Sequence, residues 1–134
     1  MRKINFISIV DDDPITVFGI KKMLNSTVEC NVVESHKNGK LALESLKERL
    51  AKNEPLPEII FLDINMPIMD GWQFLAEFIT LPVTTTVKVN IVTSSIDPYD
   101  IEQWKFFKNK TDHIITFNNK PIKRMEMAEI TKVA

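Results

Sequence analysis

Residues 58–71, EIIFLDINMPIMDG, constrain the fold more than any other part of this chain. From Glu58 to Leu62 the residues are mostly β-branched or bulky and apolar, and Asp63 follows at once. A short run of that kind suits a strand buried on both faces of a parallel sheet. Asp63 then stands at the carboxyl end of a central strand, where open α/β sheets hold their ligands. Asn65, Met66 and Pro67 read as loop. Asp70-Gly71 can open the next helix, because an aspartate accepts from the free N–H groups of a first turn. The plainer alternative is an aspartate that merely ends a strand and faces water, and the remaining strands decide between the two.

The same pattern recurs along the chain. Ile4 to Val10 is an apolar run that ends in Asp11-Asp12-Asp13-Pro14, and Asp before Pro is a helix start. Val17, Ile20 and Leu24 share one helical face, and Asn25-Ser26 closes that helix. Val28 to Glu34 is a second strand, an outer one given Asn31 and Glu34. Leu43, Leu46 and Leu50 mark a second amphipathic helix after the Asn38-Gly39 turn, and Lys52 to Pro57 is a polar link. Phe74, Leu75, Phe78 and Ile79 form a third helix, which Leu81-Pro82 stops. Val87 to Val92 reads as the fourth strand, followed by Thr93-Ser94-Ser95. Asp97-Pro98 opens a fourth helix carrying Ile101 and Trp104. Asp112 to Phe117 is the expected fifth strand, then come Asn118-Asn119-Lys120-Pro121, and Ile122 to Val133 is the expected fifth helix. Five strands alternating with five helices predict an α/β fold with a doubly wound parallel sheet and helices on both faces.

The bulk properties agree with one domain over residues 1–134. Charged residues are 26% and apolar residues 44%, which argues against a disordered chain. The net charge of −1 favours neither nucleic acid nor an anionic membrane surface. No apolar run approaches the ~20 residues that span a bilayer. A single cysteine, Cys30, forms no internal disulfide and suits a reducing compartment, so a cytoplasmic location is expected.

In a parallel sheet the strand ends point the same way. Asp11 and Asp12 after the first strand, Asp63 after the third, Thr93 at the fourth and Lys120 after the fifth can then meet in one crevice. Three gathered carboxylates resist ionising together, and either proton sharing or a divalent cation relieves them. Mg²⁺ prefers oxygen ligands, and the softer ligands that zinc or copper need are missing here. His36 and His113 are expected to lie away from these strand ends as ordinary structural or surface residues. An aspartate beside Mg²⁺ can attack phosphorus. A hydroxyl such as Thr93 and the Lys120 ammonium can then meet the new phosphoryl oxygens.

With VDDDP after the first strand, FLDINMPIMDG at the third, IVTSS at the fourth and KP after the fifth, the chain resembles the receiver domain of two-component response regulators. Flagellar-switch chemotaxis regulators and sporulation phosphorelay receivers are single-domain members of that family. The resemblance implies a flavodoxin-like (βα)5 sheet of order 2-1-3-4-5 and a Mg²⁺ (or Mn²⁺) cofactor. It makes Asp63 the phosphoacceptor, receiving its phosphoryl group from a sensor histidine kinase or a histidine phosphotransfer protein. It implies Asp12 as the direct metal ligand, Asp11 acting through water, and Asn65 contributing its backbone carbonyl. Thr93 is then the switch hydroxyl, Lys120 the phosphate-binding lysine, Lys120-Pro121 a cis bond, and Phe117 the switch aromatic. A permanently packed Phe117 is the competing expectation. The chain ends at Ala134, after the fifth helix, and is expected to be a stand-alone receiver whose output is binding to an unidentified downstream protein, with no nucleic acid or membrane partner.

Tyr99, Trp104, Phe106 and Phe107 give the fourth helix more aromatic surface than one stripe can bury, so one of them is a candidate partner anchor. A fourth helix that is simply more buried than usual is the alternative. Two other functions compete with the switch. One is a receiver-like docking module that never takes phosphate. The other is a Mg²⁺-dependent phosphatase, against which Asn65 stands where such an enzyme carries its second aspartate.

Overall fold

The computed structural model describes residues 1–132. Along them run β1 (Arg2–Val10), α1 (Pro14–Thr27), β2 (Val28–His36), α2 (Gly39–Ala51), β3 (Ile59–Leu62), α3 (Gly71–Phe78), β4 (Lys88–Thr93), α4 (Pro98–Lys108), β5 (Ile114–Asn119) and α5 (Arg124–Ile130). The strands form one sheet of order β2-β1-β3-β4-β5 in which every pairing is parallel. The α/β class and the strand order are those expected from the sequence.

Successive strand residues alternate between two core layers, as a period of two requires. On one face Ile7, Ile9, Ile59, Phe61 and Val92 pack with Ile20 and Leu24 of α1 and Met127 and Ile130 of α5. On the other, Val10, Ile60, Leu62, Val89 and Ile91 meet α2, α3 and α4 through Leu43, Leu46, Phe74, Leu75, Phe78 and Phe107. All four residues of β3 are buried, which explains a run that is apolar throughout. Helix starts follow the capping residues. Asp13 accepts from the Ile15 amide at 3.0 Å, Asn38 from Leu41 at 3.0 Å, and Asp97 from Tyr99 at 3.0 Å. At Asp70 the bonding is reciprocal: its carboxylate accepts from the Gln73 amide, and its own amide donates to the Gln73 side chain. No helix among the described residues is long and apolar enough to cross a membrane.

Several boundaries differ from expectation: β1 starts two residues earlier, β3 starts one residue later and β4 is shifted one residue onward, and three further differences have a visible cause. β5 is displaced two residues onward, because His113 is held outside it: its Nδ1 accepts from the Val87 amide at 2.9 Å. The ladder with β4 then runs from Lys88–Ile114 to Thr93–Asn119. α5 starts at Arg124 rather than Ile122, since Ile122 is a buried plug in the α1/α5 layer and Lys123 is still extended. Val133, the last residue of the expected helix, lies outside the described residues. β2 continues to His36 because its pairing with β1 persists to Val10.

Candidate functional site

Backbone hydrogen bonds carry the sheet one step past its strands and so fix where the polar residues stand. The Asp11 amide donates to the His36 carbonyl at 3.0 Å, Asp63 to Val10 at 2.9 Å, and Lys120 to Thr93 at 2.8 Å. The expectation that His36 lies away from the strand ends is therefore corrected: it ends β2 beside the first aspartate, with its imidazole 3.7 Å from Glu34. His113 stands before β5, where the strand begins. Gly71 closes the floor of the site. A Cβ there would lie 2.5 Å from the Asp63 carbonyl oxygen, so α3 can start this close to Asp63 only with glycine.

The side chains converge as the parallel strands require. Asp11, Asp12 and Asp63 each offer a carboxylate oxygen within 4.8 Å of the others. Asp11 and Asp63 are buried, while Asp12 is exposed at the mouth. The Lys120 ammonium reaches in from beyond β5, 3.2 Å from Asp11 Oδ2 and 3.6 Å from Asp63 Oδ2. Asp63 Oδ1 accepts from the Ile64 amide at 2.9 Å, and Asp11 Oδ1 from Asp13 at 2.9 Å. Burial pushes the Asp63 carboxyl up to about 6; the neighbouring Asp11 charge pushes the same way, and Lys120 opposes both. Asp11 is raised too, chiefly by burial, against the Asp13 amide and Lys120. One ammonium thus does not offset three crowded carboxylates. An all-oxygen donor set of this kind fits a hard divalent cation such as Mg²⁺ or Mn²⁺.

Thr93 is fully buried, and its Oγ1 accepts from the Ser95 amide at 3.0 Å, so its own hydroxyl proton remains free to donate elsewhere. Asn65 is exposed in the loop after Asp63. The Lys120–Pro121 bond is cis. Phe117 is half-buried, its ring 5.8 Å from that of Trp104.

The aromatic residues of α4 separate into two pairs. Phe107 is buried and stacks on Trp72 at 5.8 Å, so as part of the core it is not available as a partner anchor. Trp104 is half-buried and donates to the Ile115 carbonyl at 2.8 Å. Tyr99 and Phe106 are 59% and 53% exposed, and their spacing of seven puts them on one stripe. The sequence did not single out Ser95, Asp100 or Trp72, although these three adjoin Thr93 through hydrogen bonds. An acidic residue in a first helical turn ordinarily faces water, so nothing in its position announced Asp100 as buried.

Comparisons with known proteins agree with this geometry. A protein-glutamate methylesterase/protein-glutamine glutaminase of Methanococcoides burtonii is 32% identical over 130 residues, covering 93% of this chain and 34% of that protein. A hybrid signal transduction histidine kinase L of Dictyostelium discoideum is 33% identical over 132 residues, covering 94% of this chain and 7% of the kinase. The chain therefore spans only a minor part of either relative. Among solved structures, a two-component response regulator from Cytophaga hutchinsonii superposes with a TM-score of 0.80 at 27% identity, covering 96% of this chain and 95% of that one. The family model for the response regulator receiver domain matches residues 7–132, and the chain belongs to that family.

Proposed function

We propose that the chain is a phosphorylatable signalling switch in which Asp63 accepts a phosphoryl group from a phosphohistidine. The donor would be a sensor histidine kinase or a histidine phosphotransfer protein; one relative of the chain is itself named a hybrid histidine kinase. The observation that carries this reading is the Lys120 ammonium set between Asp11 and Asp63 inside the acid cluster. In the transfer an Asp63 carboxylate oxygen forms a bond to phosphorus, the N–P bond breaks, and its electron pair stays on the donor imidazole. Lys120 pairs with one oxygen of the acyl phosphate, and Thr93 donates its free hydroxyl proton to a second. Asp12 directly, Asp11 through water, Asp63 and the Asn65 carbonyl would hold Mg²⁺ or Mn²⁺, which supplies Lewis-acid stabilisation of phosphoryl charge.

The downstream event is a change in the surface offered to a protein partner in the cytoplasm. Thr93 leaves the Ser95 amide as it turns to the phosphoryl group, and the half-buried Phe117 is placed to follow. Tyr99 and Phe106 are the remaining anchor candidates on α4. Acetyl phosphate with Mg²⁺ tests the reading: intact mass should show one added phosphoryl group per chain, lost in Asp63→Asn. Turnover of phosphomonoesters would point to the phosphatase instead, and no Mg²⁺-dependent change would leave only a docking module.

A further inference from the structure

We propose that Asp100 is a positioning residue for Thr93, acting through Ser95, and that Trp72 registers the position it sets. The inference rests on the reading of Thr93 as the hydroxyl that meets the phosphoryl group. Asp100 lies in the first turn of α4, yet it is only 8% exposed and both of its oxygens are engaged. Oδ1 accepts from the Trp72 indole N–H at 2.9 Å, and Oδ2 accepts from the Ser95 hydroxyl. Ser95 is held from four sides. Besides the bond to Asp100, its amide donates to Thr93 Oγ1 at 3.0 Å, its Oγ accepts from the Asp97 amide at 3.2 Å, and its carbonyl accepts from the Asn119 side chain at 3.2 Å. An unbroken line of hydrogen bonds thus runs from Thr93 at the end of β4, through the β4–α4 loop, to the first turn of α3.

The far end of the line is rigid. Trp72 is 8% exposed, and its indole lies 5.8 Å from the Phe107 ring at an interplanar angle of 3°, so it has little room to follow a moving partner. The near end is the part that moves. When Thr93 turns toward the phosphoryl oxygens, the Ser95 amide loses its acceptor and the loop must re-form its bonds. Ser95 then carries its hydroxyl with it, and the Asp100 carboxylate is shared between a displaced donor and a fixed one. The length of the charge-assisted indole bond changes as a result. Asp100 therefore does two things. It holds Ser95 where its amide fixes the resting Thr93 side chain, and it makes the start of α4 answer to the phosphorylation state.

The test uses the full chain, Mg²⁺ and beryllofluoride as the phosphoryl mimic. Two tryptophans give two indole N–H resonances in a ¹H–¹⁵N spectrum, and Trp104→Phe assigns them. Bound beryllofluoride is read separately by ¹⁹F spectroscopy, and the proteins are compared at saturation. In the wild type the Trp72 resonance should move on binding. Ser95→Ala keeps the amide bond to Thr93 and the indole bond to Asp100 but cuts the link between them, so the shift should be lost while the free-protein resonance stays near its wild-type place. Asp100→Asn should move the Trp72 resonance upfield in the free protein and shrink the response by more than half. A full-sized shift in Ser95→Ala, or an unmoved Trp72 resonance in wild type with beryllofluoride bound, would overturn the proposal. No bound ¹⁹F signal in the wild type would overturn the phosphoacceptor reading beneath it, and the ¹⁹F spectrum alone tells that failure from the others.

Discussion

Asp63 and His113 are both pushed toward their neutral forms by burial, and the consequences for stability have opposite sign. Asp63 is raised from 3.8 to about 6, so the folded state holds this proton more tightly than the unfolded chain. Its contribution is therefore complete below pH 3.8 and is lost as pH rises through about 6. Asp63→Asn should stabilise the metal-free protein at pH 7.5 by about 1–2 kcal/mol, with a gain that fades toward pH 4 in thermal unfolding. A divalent cation must displace the same proton. Calorimetric Mg²⁺ affinity should accordingly fall as pH drops below about 6, by up to about tenfold per unit for one proton. His113 is lowered from 6.5, and its Nδ1 must stay unprotonated to accept from the Val87 amide. A folded pKa below the unfolded one means that stability is present above 6.5 and is lost as pH falls through the folded value. In urea denaturation at pH 7.5 and 5.5, His113→Asn, which retains an acceptor without titrating, should lose less stability on acidification than the wild type does, the other titrating groups being common to both. Asp63 was legible as a site residue because a carboxylate placed directly after a buried strand must meet solvent, a counter-charge or a ligand at the sheet edge. His113 was not, since its partner lies 26 residues away, in the residue just before β4.

Short helices are held by their ends, and α5 shows it most clearly. It has seven residues, and two side chains of β4 take up carbonyls at its end and just beyond it. Lys88 donates to Glu129 at 3.3 Å and Lys132 at 2.9 Å, and Asn90 donates to Ile130 at 2.9 Å. Asn90 is fully buried and also accepts from the Thr116 hydroxyl at 2.8 Å. Asn90→Leu should leave both partners unsatisfied and cost about 2–3 kcal/mol in urea denaturation. The starts of α1, α2, α3 and α4 were readable because Asp or Asn caps each one locally. The start of α5 was not, since Ile122 has the right character for a helix but is used to plug the core. On α4 the sequence could not sort neighbouring phenylalanines, because a one-residue step turns a helical side chain by about 100°. Phe107→Ala should cost about 3–4 kcal/mol. Phe106→Ala, at an exposed position, should change stability by less than about 0.5 kcal/mol, which unfolding of the two variants will separate.

Across the whole molecule, order and direction of strands carry the function. Parallel pairing alone brings Asp11, Asp63, Thr93 and Lys120 from four strand ends to one edge, so the sequence that predicts the sheet also predicts the site. What it does not disclose is how the site is tied to its surroundings. The contacts among Ser95, Asp100 and Trp72 depend on how α3 and α4 pack, as does the identity of the exposed aromatics. Chemical trapping addresses the central claim at the atom concerned. After incubation with acetyl phosphate and Mg²⁺, borohydride should reduce an acyl phosphate, and peptide mass spectrometry should place the reduced residue at position 63 alone. Trapping at any other carboxylate, or none with the metal present, would contradict the account.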